Sequence, residues 1–353
     1  MEIKIGKRKI GIDRPTYFIA DIAANHDGSL TRAKKLIDLA KKAGADAAKF
    51  QHFKAEKIVS DYGFKNLKGK TSHQDSWKKS VFEVYRDYEF NRKWDTQIRE
   101  YCKKVGIDFF SSPYDFDAVD ELEKFVPAYK VGSGDITWDE MLIYVAKKKK
   151  PVLLATGAST LDEVKHALKT TLKYNKQVVL MQCNTNYTAD LENFKYISLN
   201  VLKSYGELFP DLVLGLSDHT HGHATVLGAV ALGARVIEKH FTDDNRRIGP
   251  DHAFAMNPKT WREMMDSTRE LENALGSSEK KVEDNEKDTV IVQRRCLRAA
   301  SDLTSGYKLQ KHDIEVLRPA PKNAYKPNDI EKIIGKKLKK SLKFGQEFTP
   351  EDV

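Results

Sequence analysis

The chain predicts a (β/α)8 TIM barrel followed by a small module of short strands, on three observations. Eight short apolar runs recur over the first 240 residues, most of them followed by a stretch with the apolar spacing of a helix. The runs are continuously apolar rather than alternating, as expected of parallel strands buried on both faces. Every run ends in polar or ionisable residues, and the C-terminal strand ends are where such a barrel gathers its chemistry. An open, doubly wound sheet is the architectural alternative.

In order, the runs are "YFIADIAA", "AAKFQ", "DFFSSP", "AYKVGS", "PVLLATG", "VVLMQCN", "LVLGLSDH" and "RVIEKHF". The first leads into "SLTRAKKLIDLAKKAG", where Leu30, Ala33, Ile37 and Ala40 share a helix face and Gly44 stops it. "STLDEVKHALKTTL" opens with a capping-box pattern, Ser159 followed three residues later by Asp162. "GHATVLGAVALGA" is short and nearly all apolar, as expected of a helix between the barrel and a neighbouring subunit. "PKTWREMMDSTRELENALG" closes the barrel at Gly276, giving a first domain over 1–276. "SSEKKVEDNEKD" lacks apolar periodicity and reads as an exposed connector, 277–289. From Val290 short strands and turns define a second domain, 290–353, too small to bury a generous core alone and expected to pack on something larger.

Composition narrows the class. Across 353 residues, 60 Lys and Arg against 51 Asp and Glu give a formal charge of +9, which favours anionic partners. The basic residues are interleaved with acids and no nucleic-acid signature is present, so a phosphorylated metabolite fits better than nucleic acid. "KKKK" at 147–150 and "KKLKK" at 336–340 read as solvated helix surfaces. Three widely spaced cysteines support neither a disulfide framework nor a cysteine metal site, consistent with a reducing cytoplasm. No signal peptide or membrane-length apolar run is present, so no membrane partner is expected.

The strand ends supply the candidate chemistry. Asn25 and His26 follow the first strand, Lys49 and Gln51 end the second, Ser111 and Ser112 the third, and Lys130, Ser133 and Asp135 follow the fourth. Thr156 follows the fifth, Gln182, Asn184 and Tyr187 the sixth, Asp218 and His219 the seventh, Glu238 and His240 the eighth. Singly, each has an ordinary explanation: Asn25 or Asp27 shapes a turn, Ser159 caps a helix, Thr156 with Gly157 is a strand exit. Together they point to a binding mouth, because burying so many polar groups is costly unless something pairs them. His219 and His240 end adjacent strands and suit a catalytic divalent metal with open positions. His221 and His223 read as surface or capping residues. Lys49 and Lys130 suit either a Schiff base or the neutralisation of a phosphate or carboxylate, with Ser111, Ser112 and Ser133 completing an anion cradle. "GPDHAFAMNP" is either a connector or a substrate-contacting loop.

"ANHDGSLTRAKKLIDLAKKAGADAAKFQ", "YKVGSGD", "SDHT", "IEKHFT", "GPDHAFAM" and the tail "RRCLRAASDLTSGYKLQKHDIEVLRP" together resemble the sialic acid (N-acetylneuraminate) synthase family and its relatives making other nonulosonic acids. The resemblance spans nearly the whole chain, a barrel plus a C-terminal antifreeze-like (SAF, β-clip) domain. It implies condensation of phosphoenolpyruvate with an open-chain 2-acetamido-hexose, typically N-acetylmannosamine, with release of phosphate. It further implies a divalent ion, Mn2+ first with Mg2+ or Co2+ as alternatives, held by His219 and His240. Lys49, Lys130, Ser112 and Ser133 match positions holding phosphoenolpyruvate, with Gln51 beside them, and Asp251 matches a contact to sugar hydroxyls. Arg318 matches an arginine reaching the acyl group of the substrate in the partner of a domain-swapped homodimer. Two departures lie near the sugar. Asp135 and Asp21 stand where Glu is usual, and "CNTNYTA" puts Thr185 where Asn is expected while keeping Tyr187, with Asn184 or Asn186 to compensate. Asp135, His219 and His240 are the expected catalytic set, with Asn25 among the substrate contacts. A pyruvate aldolase acting through Lys49 or Lys130, and a non-catalytic sugar-binding protein, are the other readings.

Overall fold

The computed structural model describes residues 2–69, 74, 77–188 and 190–353, which leaves only Ala189 of the "CNTNYTA" motif outside. The chain divides into two compact units, Met1–Gly276 and Ser277–Val353.

All eight apolar runs are strands of one parallel sheet in the first unit: β3 (Tyr17–Asp21), β4 (Ala47–His52), β5 (Asp108–Pro113), β6 (Tyr129–Val131), β7 (Val152–Ala155), β8 (Val178–Cys183), β9 (Val213–Asp218) and β10 (Ala234–His240). The ladder runs β5-β4-β3-β10-β9-β8-β7-β6, and β5 packs beside β6, so the sheet wraps into a nearly closed barrel. A helix follows each strand, from Leu30–Lys42 after β3 to Pro258–Leu275 after β10.

The period-2 alternation of a strand sorts side chains into two cores. Phe18, Ala20, Phe50, Leu154, Leu180 and Ile237 point outward to the helix layer. Tyr17, Ile19, Ala47, Phe110, Met181 and Val236 fill the barrel interior. Gly215 is required there: a Cβ would lie 2.7 Å from the Val236 carbonyl oxygen and 3.0 Å from Met181 Cγ. Preceding the barrel, β1 (Glu2–Ile5) and β2 (Arg8–Gly11) form a hairpin whose Ile3, Ile5 and Ile10 join the interior core. The N-terminal hairpin therefore belongs to the barrel core.

Local differences from the sequence reading have simple causes. The helix Leu161–Leu172 is capped by Thr160, not Ser159: the Thr160 hydroxyl accepts from Glu163 N–H, and the Glu163 carboxylate accepts from Thr160 N–H. Glu, one methylene longer than Asp162, makes the reciprocal bond, and Ser159 instead donates to the Gly157 carbonyl. Residues 287–293, where short strands were expected from Val290, are helical, and the first strand of the second unit, β11 (Cys296–Ala299), starts later. It pairs antiparallel with β12 (Ile314–Leu317). Leu297, Leu309, Ile333, Leu342 and Phe348 give this unit a core of its own. Among the described residues, no helix is long and apolar enough to cross a membrane.

Candidate active site

Parity also sorts the polar strand ends. The outward ones are satisfied by neighbours: Asp218 accepts from Thr220, Thr225 and Lys239, while Ser111, His52 and Asp95 form a buried chain with contacts of 2.6 and 2.7 Å. His26 packs among Phe50, Phe90 and Trp94, and burial brings its pKa down to about 4. Thr156 donates to the Met181 carbonyl, Gln182 to that of Ile197 and Asn25 to that of Phe241. These residues hold the mouth together rather than face it.

The inward ends converge. Lys49 Nζ lies 2.5 Å from Asp21 Oδ2 and 3.5 Å from Ser112 Oγ, and Gln51 Nε2 donates to the same Asp21 oxygen at 3.2 Å. Lys130 Nζ donates to Glu238 Oε1 at 2.7 Å and to Ser217 Oγ at 3.3 Å, and Lys49 Nζ is 3.7 Å from that Glu238 oxygen. Two ammoniums and two carboxylates thus form one buried network, so the lysines stand paired rather than as a free cationic cup. Burial disfavours charge on Lys49, but Asp21 and Glu238 outweigh it and hold its pKa above the ordinary lysine value. Glu238 also resists ionisation through burial, yet Lys130 and Lys49 bring it down to about 2. Glu238 was visible as a strand end but carried no assigned role; only the barrel closure shows that it joins both lysines.

Above this floor stand His219 and His240, ring centroids 5.4 Å apart. His219 Nδ1 donates to the Asn184 carbonyl at 2.9 Å, which orients the ring; burial disfavours its charged form, but Cys183 and the Asn184 carbonyl outweigh it and hold its pKa above the ordinary histidine value. His240 Nδ1 is buried with no hydrogen-bond partner, 3.7 Å from Asp251 Oδ2, and burial lowers the ring's pKa to about 3, keeping it neutral. Tyr187 and Phe254 pack against both rings. A neutral imidazole with an unpaired buried nitrogen beside a second, oriented imidazole fits a divalent ion. Among the described residues no three His, Cys, Asp or Glu side chains form a ready-made cage.

A cavity of about 520 Å³ opens over this floor, lined by Gln51, Ser133, Asp135, Tyr187, His240 and Asp251 among others. Asp135 lies on the turn Ser133–Asp135 directly after β6, and burial raises its pKa to about 6. Ser133 Oγ accepts from Gly157 N–H at 2.9 Å, an approach that needs glycine because a Cβ at 157 would fall 1.9 Å from Thr185 Oγ1. Asp251 accepts from Ala24 N–H, and its loop is pinned by His252, which contacts Thr242 Oγ1 at 2.7 Å and Asp27 Oδ1 at 3.0 Å. Asn184 does not line the cavity: its amide donates to the Tyr196 carbonyl, and its own carbonyl serves His219. Asn25 is likewise turned away. Arg318 is exposed in the second unit, just after β12. Phe53, Trp77, Tyr85 and Tyr88, from the long excursion between β4 and β5, line the cavity without having been singled out in the sequence. The excursion's length was the available signal.

Fold and site together define a (β/α)8-barrel enzyme whose chemistry sits at the C-terminal strand ends. The chain belongs to the NeuB family, matched over residues 36–280, and carries a SAF domain over residues 294–353. It is 34% identical to the N,N'-diacetyllegionaminic acid synthase of Legionella pneumophila, over 96% of this chain and 95% of that one. It is also 34% identical to the human N-acetylneuraminate-9-phosphate synthase, over 94% of this chain and 90% of that one. A crystal structure of N-acetylneuraminic acid (sialic acid) synthetase from Leptospira borgpetersenii matches with a TM-score of 0.72 and 26% identity, covering 82% of this chain and 95% of that one.

Proposed function

We propose that the protein condenses phosphoenolpyruvate with a 2-acetamido-hexose to give a nonulosonic acid and inorganic phosphate. N-acetylmannosamine, giving N-acetylneuraminate, is the first candidate sugar; a diacetamido precursor of a legionaminic or pseudaminic type acid is its equal rival. The observation that carries this reading is the pair His219 and His240, one nitrogen unpartnered, beside the buried Lys49–Asp21 and Lys130–Glu238 network, with His240 on the wall of the cavity.

Lys49 and Lys130, with Ser112 and Ser133, hold the enolpyruvyl phosphate and carboxylate by charge-assisted hydrogen bonds. Asp251 and Gln51 take sugar hydroxyls and orient the open chain so that its C1 aldehyde meets C3 of the enolpyruvate. The new bond joins these carbons as the C2=C3 and C1=O double bonds are lost, the former aldehyde oxygen takes a proton from solvent, water adds at the electron-poor C2, and the C2–O bond to phosphate breaks to leave the C2 ketone and inorganic phosphate. Asp135, with a pKa of about 6, accepts the proton of that water. His219 and His240 would hold a divalent ion, Mn2+ in the first instance, which when bound polarises the aldehyde oxygen.

A Schiff-base aldolase needs a free amine, and the pairing that keeps Lys49 protonated works against it. The test is phosphoenolpyruvate consumption with and without each component. The expected result is phosphate release only when phosphoenolpyruvate, Mn2+ and an acetamido sugar are all present. Absence of turnover across a panel of acetamido sugars, or turnover indifferent to chelators, would overturn the reading. The homodimer in which Arg318 would serve a second copy is tested by sedimentation.

A further inference from the structure

Several tyrosines of the barrel unit use their hydroxyls to tie one element to another. Tyr17 donates to Asp108, Tyr101 to Asp38, Tyr129 to the Val119 carbonyl, Tyr144 to Asp120 and Tyr205 to Thr156. Tyr114 differs. It lines the cavity, and among the described residues its hydroxyl has no hydrogen-bond partner. A phenol joins a large apolar body to one polar tip, and that tip normally finds a partner once water is withdrawn.

The ring is held from several sides. Tyr114 follows β5 directly, and its N–H donates at 3.2 Å to the carbonyl of His52, the last residue of β4. The next residue, Asp115, caps the helix Phe116–Glu123 by accepting from Ala118 N–H and is ion-paired with Arg92. Phe53 packs edge-on against the ring, centroids 6.1 Å apart at 77°. The hydroxyl rests against Gly132, where a Cβ would come within 3.4 Å of it, at the start of the turn that carries Ser133 and Asp135. Burial holds the phenol well above its ordinary pKa and the charge of Asp135 raises it further, so the group stays protonated and is available as a donor.

A substrate entering the cavity strips water from this hydroxyl, and a hydroxyl left without an acceptor weakens binding. Tyr114 shares the cavity wall with Gln51 and Asp251, assigned above to sugar hydroxyls. Of the side chains assigned to the enolpyruvyl group, Ser133 reaches that wall, whereas Lys49, Lys130 and Ser112 are buried, with 2%, 3% and 1% exposure. An acetamido sugar offers acceptors in its hydroxyls and in its amide carbonyl.

We propose that the Tyr114 hydroxyl donates a hydrogen bond to an oxygen of the acetamido sugar, because it stands unpaired and rigidly held on the wall that Gln51 and Asp251 also line. This inference rests on the synthase reading and adds a specificity contact to it. The test is Tyr114→Phe, which removes one oxygen and leaves the ring on Phe53. Steady-state kinetics of the full chain with Mn2+, read from phosphoenolpyruvate loss, compare N-acetylmannosamine with a 6-deoxy diacetamido hexose. For the better of these sugars kcat/KM is expected to fall about five- to tenfold, while the phosphoenolpyruvate KM stays within about twofold and the unfolding midpoint is unmoved. A purely structural role would instead shift the midpoint and both KM values together. A sugar kcat/KM within about twofold of the wild type, or a phosphoenolpyruvate KM that rises as much as that of the sugar, would overturn the inference and leave the synthase standing. If the wild type turns over neither sugar, the synthase reading fails on its own account. Calorimetric titration of the wild type and Tyr114→Phe with the same two sugars then decides the contact: weaker binding to the variant sustains it, and equal binding or none overturns it.

Discussion

The two ends of the barrel are built from the same eight strands and do opposite things. At the N-terminal end, Ile3, Ile5 and Ile10 of the hairpin extend an interior of Tyr17, Phe110, Val179 and Val236, and the Tyr17 hydroxyl donates to Asp108. At the C-terminal end, the inward positions become Asp21, Lys49, Lys130, Glu238 and His240, all at least nine-tenths buried. One end lowers the free energy by removing apolar surface from water, while the other keeps charges desolvated that only pairing makes tolerable. Stability and chemistry are thereby separated along each strand by a step of two residues.

That separation can be broken by experiment. The largest effect is expected at the mouth: His240→Ala or His219→Ala should lower kcat/KM by roughly a thousandfold, about 4 kcal/mol in the barrier, with little change in unfolding midpoint. Calorimetric Mn2+ titration should show the binding lost in parallel, and a variant that binds metal and turns over normally would erase the distinction. Next, Asp218→Ala should cost about 3–5 kcal/mol in denaturant unfolding, because it leaves buried Lys239 without its carboxylate. This sharpens the comparison by showing that an outward polar residue at the mouth behaves structurally. At the other end, Ile10→Ala should cost about 2–5 kcal/mol of stability with kcat/KM unchanged below the melting range. A drop in turnover there would mean that the two ends are coupled.

The smallest effect is a pH limb. The Asp135 carboxyl is raised from 3.8 to about 6, so its base form is present above that value and lost below it. Accordingly, kcat/KM should be level above about pH 6 and fall about tenfold per unit beneath it. In Asp135→Asn the rate should be low and the limb absent; a limb that survives the substitution belongs to another group.

Much of this was legible before the fold. Leu153, Val179 and Ile237 sit in runs apolar enough to mark buried parallel strands, and Lys49, Lys130, His219 and His240 stood out as ionisable groups ending such runs. Asp218 and Glu238 looked alike in the sequence, two acids at two strand ends. Whether an end residue faces the cavity or the helix layer depends on where each strand starts within the closed sheet, and a shift of one residue reverses it. Asn184 was chosen for its side chain, yet its backbone carbonyl is what orients His219. The cap at Thr160 was misplaced by one residue because Asp and Glu both fit the pattern and only reach distinguishes them.

The sequence by itself determined the order of strands and helices, the apolar layers and the set of ionisable groups available, since hydrophobic periodicity and residue chemistry are local properties. Tertiary structure alone decided which of those groups meet: that Lys49 answers Asp21, that Lys130 answers Glu238, that an aromatic wall from the β4–β5 excursion overhangs them. Coulomb interaction and desolvation depend on distances between residues far apart in the chain, and closure of the barrel sets those distances.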